Sequence, residues 1–149
     1  MDAQEFLSAL KNEVGLDLAL DADGIVDLSV SGRQVTVHHV EASADWTYST
    51  IVRAGTATEP ISEATLRRAL ELSLMGAGTN RHALGLYGEA LILSGHADGH
   101  VVTPEGFFEM LLLLARTAES LESELRDGAA SAPADTEPMS VPLGAFIRV

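Results

Sequence analysis

Between Thr103 and Leu125 the chain encodes a helix whose first half is apolar on nearly every side. Thr103 can cap it, Pro104 takes the first helical position, and Glu105 sets an acid at the positive end of the helix dipole. Phe107, Phe108, Leu111, Leu112, Ala115, Ala118, Leu121 and Leu125 form one stripe, and Met110, Leu113 and Leu114 fill its flanks. Such a helix must be covered on several sides at once. A chain of 149 residues has limited material to do so, which favours burial against a second subunit over a thicker core within one.

The remaining segments show what covers it. Phe6, Leu7, Leu10 and Val14 recur at helical spacing over residues 2–14, with Asp2 as cap and Gly15 as stop. Asp21-Ala22-Asp23-Gly24 is a turn. Residues 25–30 and 33–40 read as strands joined by Ser31-Gly32, and 46–52, rich in aromatic and β-branched residues, as a third. A second amphipathic helix starts at Ser62, carries Leu66, Ala69, Leu70, Ser73 and Leu74 on one face, and stops at Gly76-Ala77-Gly78. Residues 83–87 and 90–94 form two more strands around Gly88-Glu89. The order α-β-β-β-α-β-β-α predicts an α+β domain over residues 1–126. From residue 127 the composition shifts to Gly, Ala, Ser, Pro and acids, a flexible tail over 127–149 with a strand-competent tip, 141–149.

Charge removes several functions. Nine Lys and Arg face 22 Asp and Glu, a formal charge of −13, so no nucleic-acid partner is expected. Lys11 is the single lysine, which leaves no polybasic patch for a membrane surface. The longest wholly apolar run, Met110 to Ala115, is far short of a membrane span, so no membrane insertion is expected. The chain has no cysteine, and its first residues, Met1 to Glu5, are acidic where a secretion signal is basic; both fit the cytoplasm.

Reactive chemistry finds little footing. Aligning Gly24 with the invariant glycine of a calcium loop puts Ala19 and Val30 where oxygen ligands belong. His38 and His39 are adjacent, and His96 and His100 stand four apart beside the loop-forming Asp98-Gly99. Neither pair gains a third ligand from the local sequence, so no metal is expected. No serine sits in a nucleophile elbow, and Gly76-Ala77-Gly78-Thr79 lacks the lysine of a phosphate loop. No cofactor and no enzymatic activity are expected; the apolar surplus points to binding.

Three segments, in order, carry a resemblance: Leu16-x-Leu18-x-Leu20-Asp21-x-Asp23-Gly24 after the first helix, Leu66-Arg67-Arg68-Ala69-Leu70 continuing to Leu74-Met75-Gly76, and Ala83-Leu84-Gly85-Leu86. With the closing helix from Phe107 to Leu125, they resemble the Tir-chaperone (CesT) group of type III secretion chaperones over residues 2–126. The resemblance implies a twisted antiparallel sheet packed by helices and a two-fold homodimer. It implies a cytosolic chaperone that binds the N-terminal segment of a secreted effector and keeps it extended without ATP. The export apparatus would be a further partner. By the same analogy Leu66, Leu70, Leu74, Leu84 and Leu86 form the dimer interface. Phe6, Leu10, Leu28, Val30, Val35 and Val37 offer the effector groove. The competing reading is a homodimeric α+β peptide- or protein-binding regulatory module unrelated to secretion. The segment 127–149 falls outside the family pattern.

Overall fold

A computed structural model describes residues 2–131. Helix α1 (Ala3–Ala9) opens with a reciprocal cap: Asp2 Oδ1 accepts from the Glu5 N–H at 2.8 Å, and Glu5 Oε2 accepts from the Asp2 N–H at 3.2 Å. The helix widens into a π-turn over Leu10–Val14 and stops at Gly15, whose φ of +73° ends it in the left-handed region. Strands β1 (Ile25–Val30), β2 (Arg33–Val40) and β3 (Asp45–Ala54) follow as a meander. Ser31 and Gly32 both take positive φ in the first turn, which matches the twist of the strands they join. Helix α2 (Glu63–Ser73) starts on Ser62, whose Oγ accepts from the Thr65 N–H at 3.2 Å.

Strands β4 (Ala83–Tyr87) and β5 (Ala90–Ala97) form the second hairpin, β5 running past Ser94, where the residue pattern ended it. Helix α3 (Pro104–Ser131) begins with Thr103 Oγ1 accepting from the Gly106 N–H at 3.0 Å. It passes Arg126, the boundary that composition suggested, so the first residues of the expected tail are helical. Residues 132–149, with the strand-competent tip, lie outside the described residues.

All neighbours in the sheet are antiparallel, in the order β1-β2-β3-β5-β4, which is the α+β class expected. Strands β1 and β4 are its margins. One face carries Val35, Val37, Trp46, Tyr48, Val52, Leu91 and Leu93, all buried, and the helices pack there. Alternation sends Asp27, Thr36, Ser49 and Ser94, one cross-strand row, to the opposite face. Phe107 sits at the centre of the core, its ring 5.7 Å from Phe6, 5.5 Å from Trp46 and 5.9 Å from Tyr48.

Helix α3 departs from expectation instructively. Leu111, Leu114, Ala115, Ala118, Leu121 and Leu125 are all buried, because the sheet, the π-turn and α2 cover three sides of it. Met110 and Leu112 are half-buried, and Leu113 is the exposed member of the run. The chain therefore absorbs this helix by itself. Most of the large apolar side chains left exposed lie elsewhere, on α2, the turn after it and β4, with Ile51 and Val101 apart from them.

Polar ties fix the layers at both ends. Arg33 pairs with Glu122 of α3 and donates from Nη1 to the Ile51 carbonyl at 2.8 Å. Arg68 of α2 bridges Glu71 at 3.1 Å and Glu124 of α3 at 3.2 Å, and these carboxylates, Glu71 foremost, raise its pKa. At the opposite end Asp45 accepts from the Gly99 N–H at 3.3 Å and lies 3.1 Å from His96 Nε2. A Cβ on Gly99 would stand 1.6 Å from the Ala44 carbonyl oxygen, so only glycine allows this approach.

Hydrogen bonds to Asp45 from His96, then from Ser43, lower its pKa below the ordinary 3.8. A carboxyl whose pKa falls on folding stabilises the fold above that ordinary value, and the contribution is lost as pH drops through the depressed one. Asp45→Asn is therefore expected to melt below the parent protein at about pH 6, with the gap closing in acid beneath pH 3.8. Melting temperatures measured across that range test the assignment; a gap that stays constant with pH refutes it.

Candidate functional site

Helix α2 and the marginal strand β4 enclose an apolar groove. Leu66, Ala69, Leu70 and Ser73 fall on one face of α2 because they recur three and four residues apart. Leu84 and Leu86 alternate toward the same side: they stand opposite the buried Leu93 and Leu91 of β5. Together with Gly85 and Leu91 they line an open groove of about 230 Å3. No strand among the described residues pairs with the outer margin of β4, so leucines and unpaired main chain lie side by side.

Exposure sorts these residues. Leu66 and Leu84 are half-buried against the core, whereas Leu70 is 71% exposed, Leu86 57% and Leu74 46%. The structure thus brings Leu66, Leu70, Leu84 and Leu86 into one groove and leaves Leu74 just beyond its end. Residue patterns alone did not single out Met75, 89% exposed with a φ of +56°, or Tyr87, 80% exposed at the end of β4. Met75 follows directly on Leu74 at the helix stop, and that adjacency was the available signal.

The second set of residues lands differently. Phe6, Leu10, Val30, Val35 and Val37 are all buried in the common core, and Phe6 stacks on Trp46 with ring centroids 5.1 Å apart. Their side chains are spent on the fold. They do not line an open groove, because the inward face of the meander is the face that α3 covers, with Phe6 of α1 packed on Trp46 there. Leu28 is the exception, half-buried on β1 beside Val26. As the sheet margin, β1 is only partly covered, and the half-buried Leu7, Val14, Leu16 and Leu20 share that character. The patterns could not separate core from groove here, since both ask for apolar residues with one period.

The histidines serve packing and pairing. His39 stacks on Trp46 at 4.6 Å, and His82 lies edge-on to Tyr48 at 6.2 Å. His96 sits on β5, paired with Asp45, rather than in a loop with His100. Burial raises the pKa of the Tyr48 phenol. Among the described residues there is no group of three or more His, Asp and Glu able to hold a metal ion. No helix among them is long and apolar enough to cross a membrane.

The described residues thus set helices on one face of an antiparallel sheet, leave β1 and β4 without an outer strand neighbour, and form an apolar helix–strand groove, an arrangement that suits an added strand or another protein surface. The chain belongs to the Tir chaperone protein (CesT) family, whose model matches residues 5–122. Among solved structures it resembles a chain of the ExsC-ExsE complex, with a TM-score of 0.67 and 20% identity over 84% of this chain and 97% of that one. It also resembles the Yersinia pestis type III secretion chaperone SycH, solved with a stable fragment of YscM2 (TM-score 0.61, 12% identity, 78% of this chain and 97% of that one). A third likeness is to a chain of the ExoT-SpcS complex of Pseudomonas aeruginosa (TM-score 0.53, 15% identity, 80% and 97%). At these identities the likeness is one of fold. No match is found among the curated proteins.

Proposed function

We propose that this chain is a chaperone of type III secretion. It binds the N-terminal segment of a secreted effector in the cytoplasm, holds that segment extended without ATP, and hands it to the export apparatus. The observation that carries the reading is the family match over residues 5–122, on a sheet whose margins β1 and β4 have no outer strand among the described residues. Its work is binding, and it needs no cofactor.

Two surfaces divide the labour. The groove of Leu66, Leu70, Leu84 and Leu86, with Leu74 at its end, joins two copies about a two-fold axis. Covering the exposed Leu70 and Leu86 on both copies is worth about 1–2 kcal/mol per side chain, a contribution toward the cost of association. The effector segment adds to the margin of β1, where main-chain pairing gives affinity and Val26 and Leu28 give side-chain contact. Phe6, Leu10, Val30, Val35 and Val37 support that margin from beneath. The charge of −13 keeps a protein with such surfaces soluble and favours basic cargo. The secretion domain is assigned to residues 1–126, whose last helix continues to Ser131.

The test is co-expression of the full chain with the N-terminal segments of secreted effectors from its own cell. A soluble complex that shields one such segment from protease, unchanged by removal of ATP, is the expected result. If no effector segment binds and a regulatory protein is captured instead, the secretion reading fails.

A further inference from the structure

We propose that two copies of this chain join along β4 in one register, an antiparallel pairing centred on Gly85 that runs the two sheets into one and sets Arg81 of each copy against Glu89 of the other. The inference rests on the dimer reading above and specifies how the two surfaces meet.

Main-chain geometry selects the register. Tyr87 and Ala90 flank the two-residue turn Gly88-Glu89, so they exchange both hydrogen bonds of their pair. Alternation then turns the N–H and C=O of Ala83, Gly85 and Tyr87 toward β5, and those of Leu84 and Leu86 toward the open margin. A two-fold axis pairs residue i with j and j with i. Centred on Gly85, Leu84 faces Leu86 of the second copy, and every outward group of both strands finds a partner. Centred on Leu84 or on Leu86, the other leucine is carried past the end of the facing strand, onto His82 or Gly88.

The side chains agree with that register. On the groove face Leu84 meets Leu86 of the second copy, which carries one apolar groove into the other beside the exposed Leu70. On the opposite face Ala83 meets Tyr87 of the second copy, a side chain left exposed within its own chain. Gly85 lies on the axis between the two tyrosines, and a Cβ there would meet nothing within 4 Å, so the rings have room. Arg81 and Glu89, both exposed, stand just beyond the two ends of β4. Neither has an ion-pair partner among the described residues. The Arg81 N–H donates to the Gly76 carbonyl at 3.1 Å, and the Glu89 carbonyl accepts from the Gly55 N–H at 2.8 Å, which fixes both positions. Opposite charges thus close each end of the seam, where two copies of a chain with a charge of −13 otherwise repel.

The experiment is charge reversal in the full chain. Arg81→Glu and Glu89→Arg each set like charges opposite one another at both ends of the seam. Sedimentation at low salt is expected to show either variant dimerising about tenfold more weakly than the parent. An equimolar mixture of the two pairs unlike charges at both ends, so it is expected to recover the parent's association. A single chain carrying both changes is expected to do the same. A mixture and a double variant no tighter than the single variants overturn the proposal, as does parental affinity in either single variant. If that happens while Leu70→Asp still dissociates the parent dimer, the dimer reading stands and the register alone is wrong. A parent that stays monomeric at the highest concentration reached sinks both.

Discussion

Replacing Leu70 by Asp is expected to leave the protomer folded and to weaken self-association by at least about a hundredfold. Leu70 is 71% exposed in the single chain, so a carboxylate there keeps its water and costs the fold little. In the two-fold pair proposed above the same carboxylate would be buried against leucines without a partner, a penalty of roughly 3–5 kcal/mol. Sedimentation and thermal melting, read together, isolate the effect: the dimer is lost, and the melting of the dilute protomer is retained. A variant that associates as tightly as the parent shows that the interface lies elsewhere. A variant that unfolds shows that α2 depends on Leu70 in a way its exposure does not reveal.

Phe107→Ala is the opposite case. The ring touches Phe6 from α1 and Trp46 and Tyr48 from β3, so one side chain joins all the layers. Removing it is expected to cost about 3–5 kcal/mol, a large share of the 5–15 kcal/mol typical of a domain. Urea titration should show the midpoint falling sharply, with effector binding lost only as the fold is lost. A loss under about 1 kcal/mol would mean that the aromatic cluster collapses around the gap.

These two residues also mark what the sequence disclosed. Elements were legible because their signals are local. Thr103-Pro104-Glu105 announces a helix start, Ser31-Gly32 a two-residue turn, and the alternation in β2 a half-buried strand. The α2–β4 groove was legible too, since helical spacing and strand alternation each select one face and the turn at Gly76-Ala77-Gly78 folds those faces together. Core and groove were not separable around α1 and β1. Val37 and Leu28 read alike as apolar strand residues, yet one lies beneath a helix and the other on the sheet margin. That difference is set by strand order, β1 outermost and β2 within, which comes from long-range pairing and leaves no mark at either residue. The same blindness exaggerated the apolar excess of α3, because how many layers meet at one helix is a property of the whole chain.

The strand order also acts as a ruler. With β1 and β4 at opposite margins of a five-stranded sheet, they lie about 19 Å apart, four inter-strand steps. In a pair of protomers joined at β4, the two β1 margins therefore face outward, roughly 40 Å from one another. A guest that engages both must run at least a dozen residues in fully stretched form between its two footholds. A guest stretch of about that length, held at both edges, would be kept extended. Extension of that stretch would then follow from the distance between two edges alone.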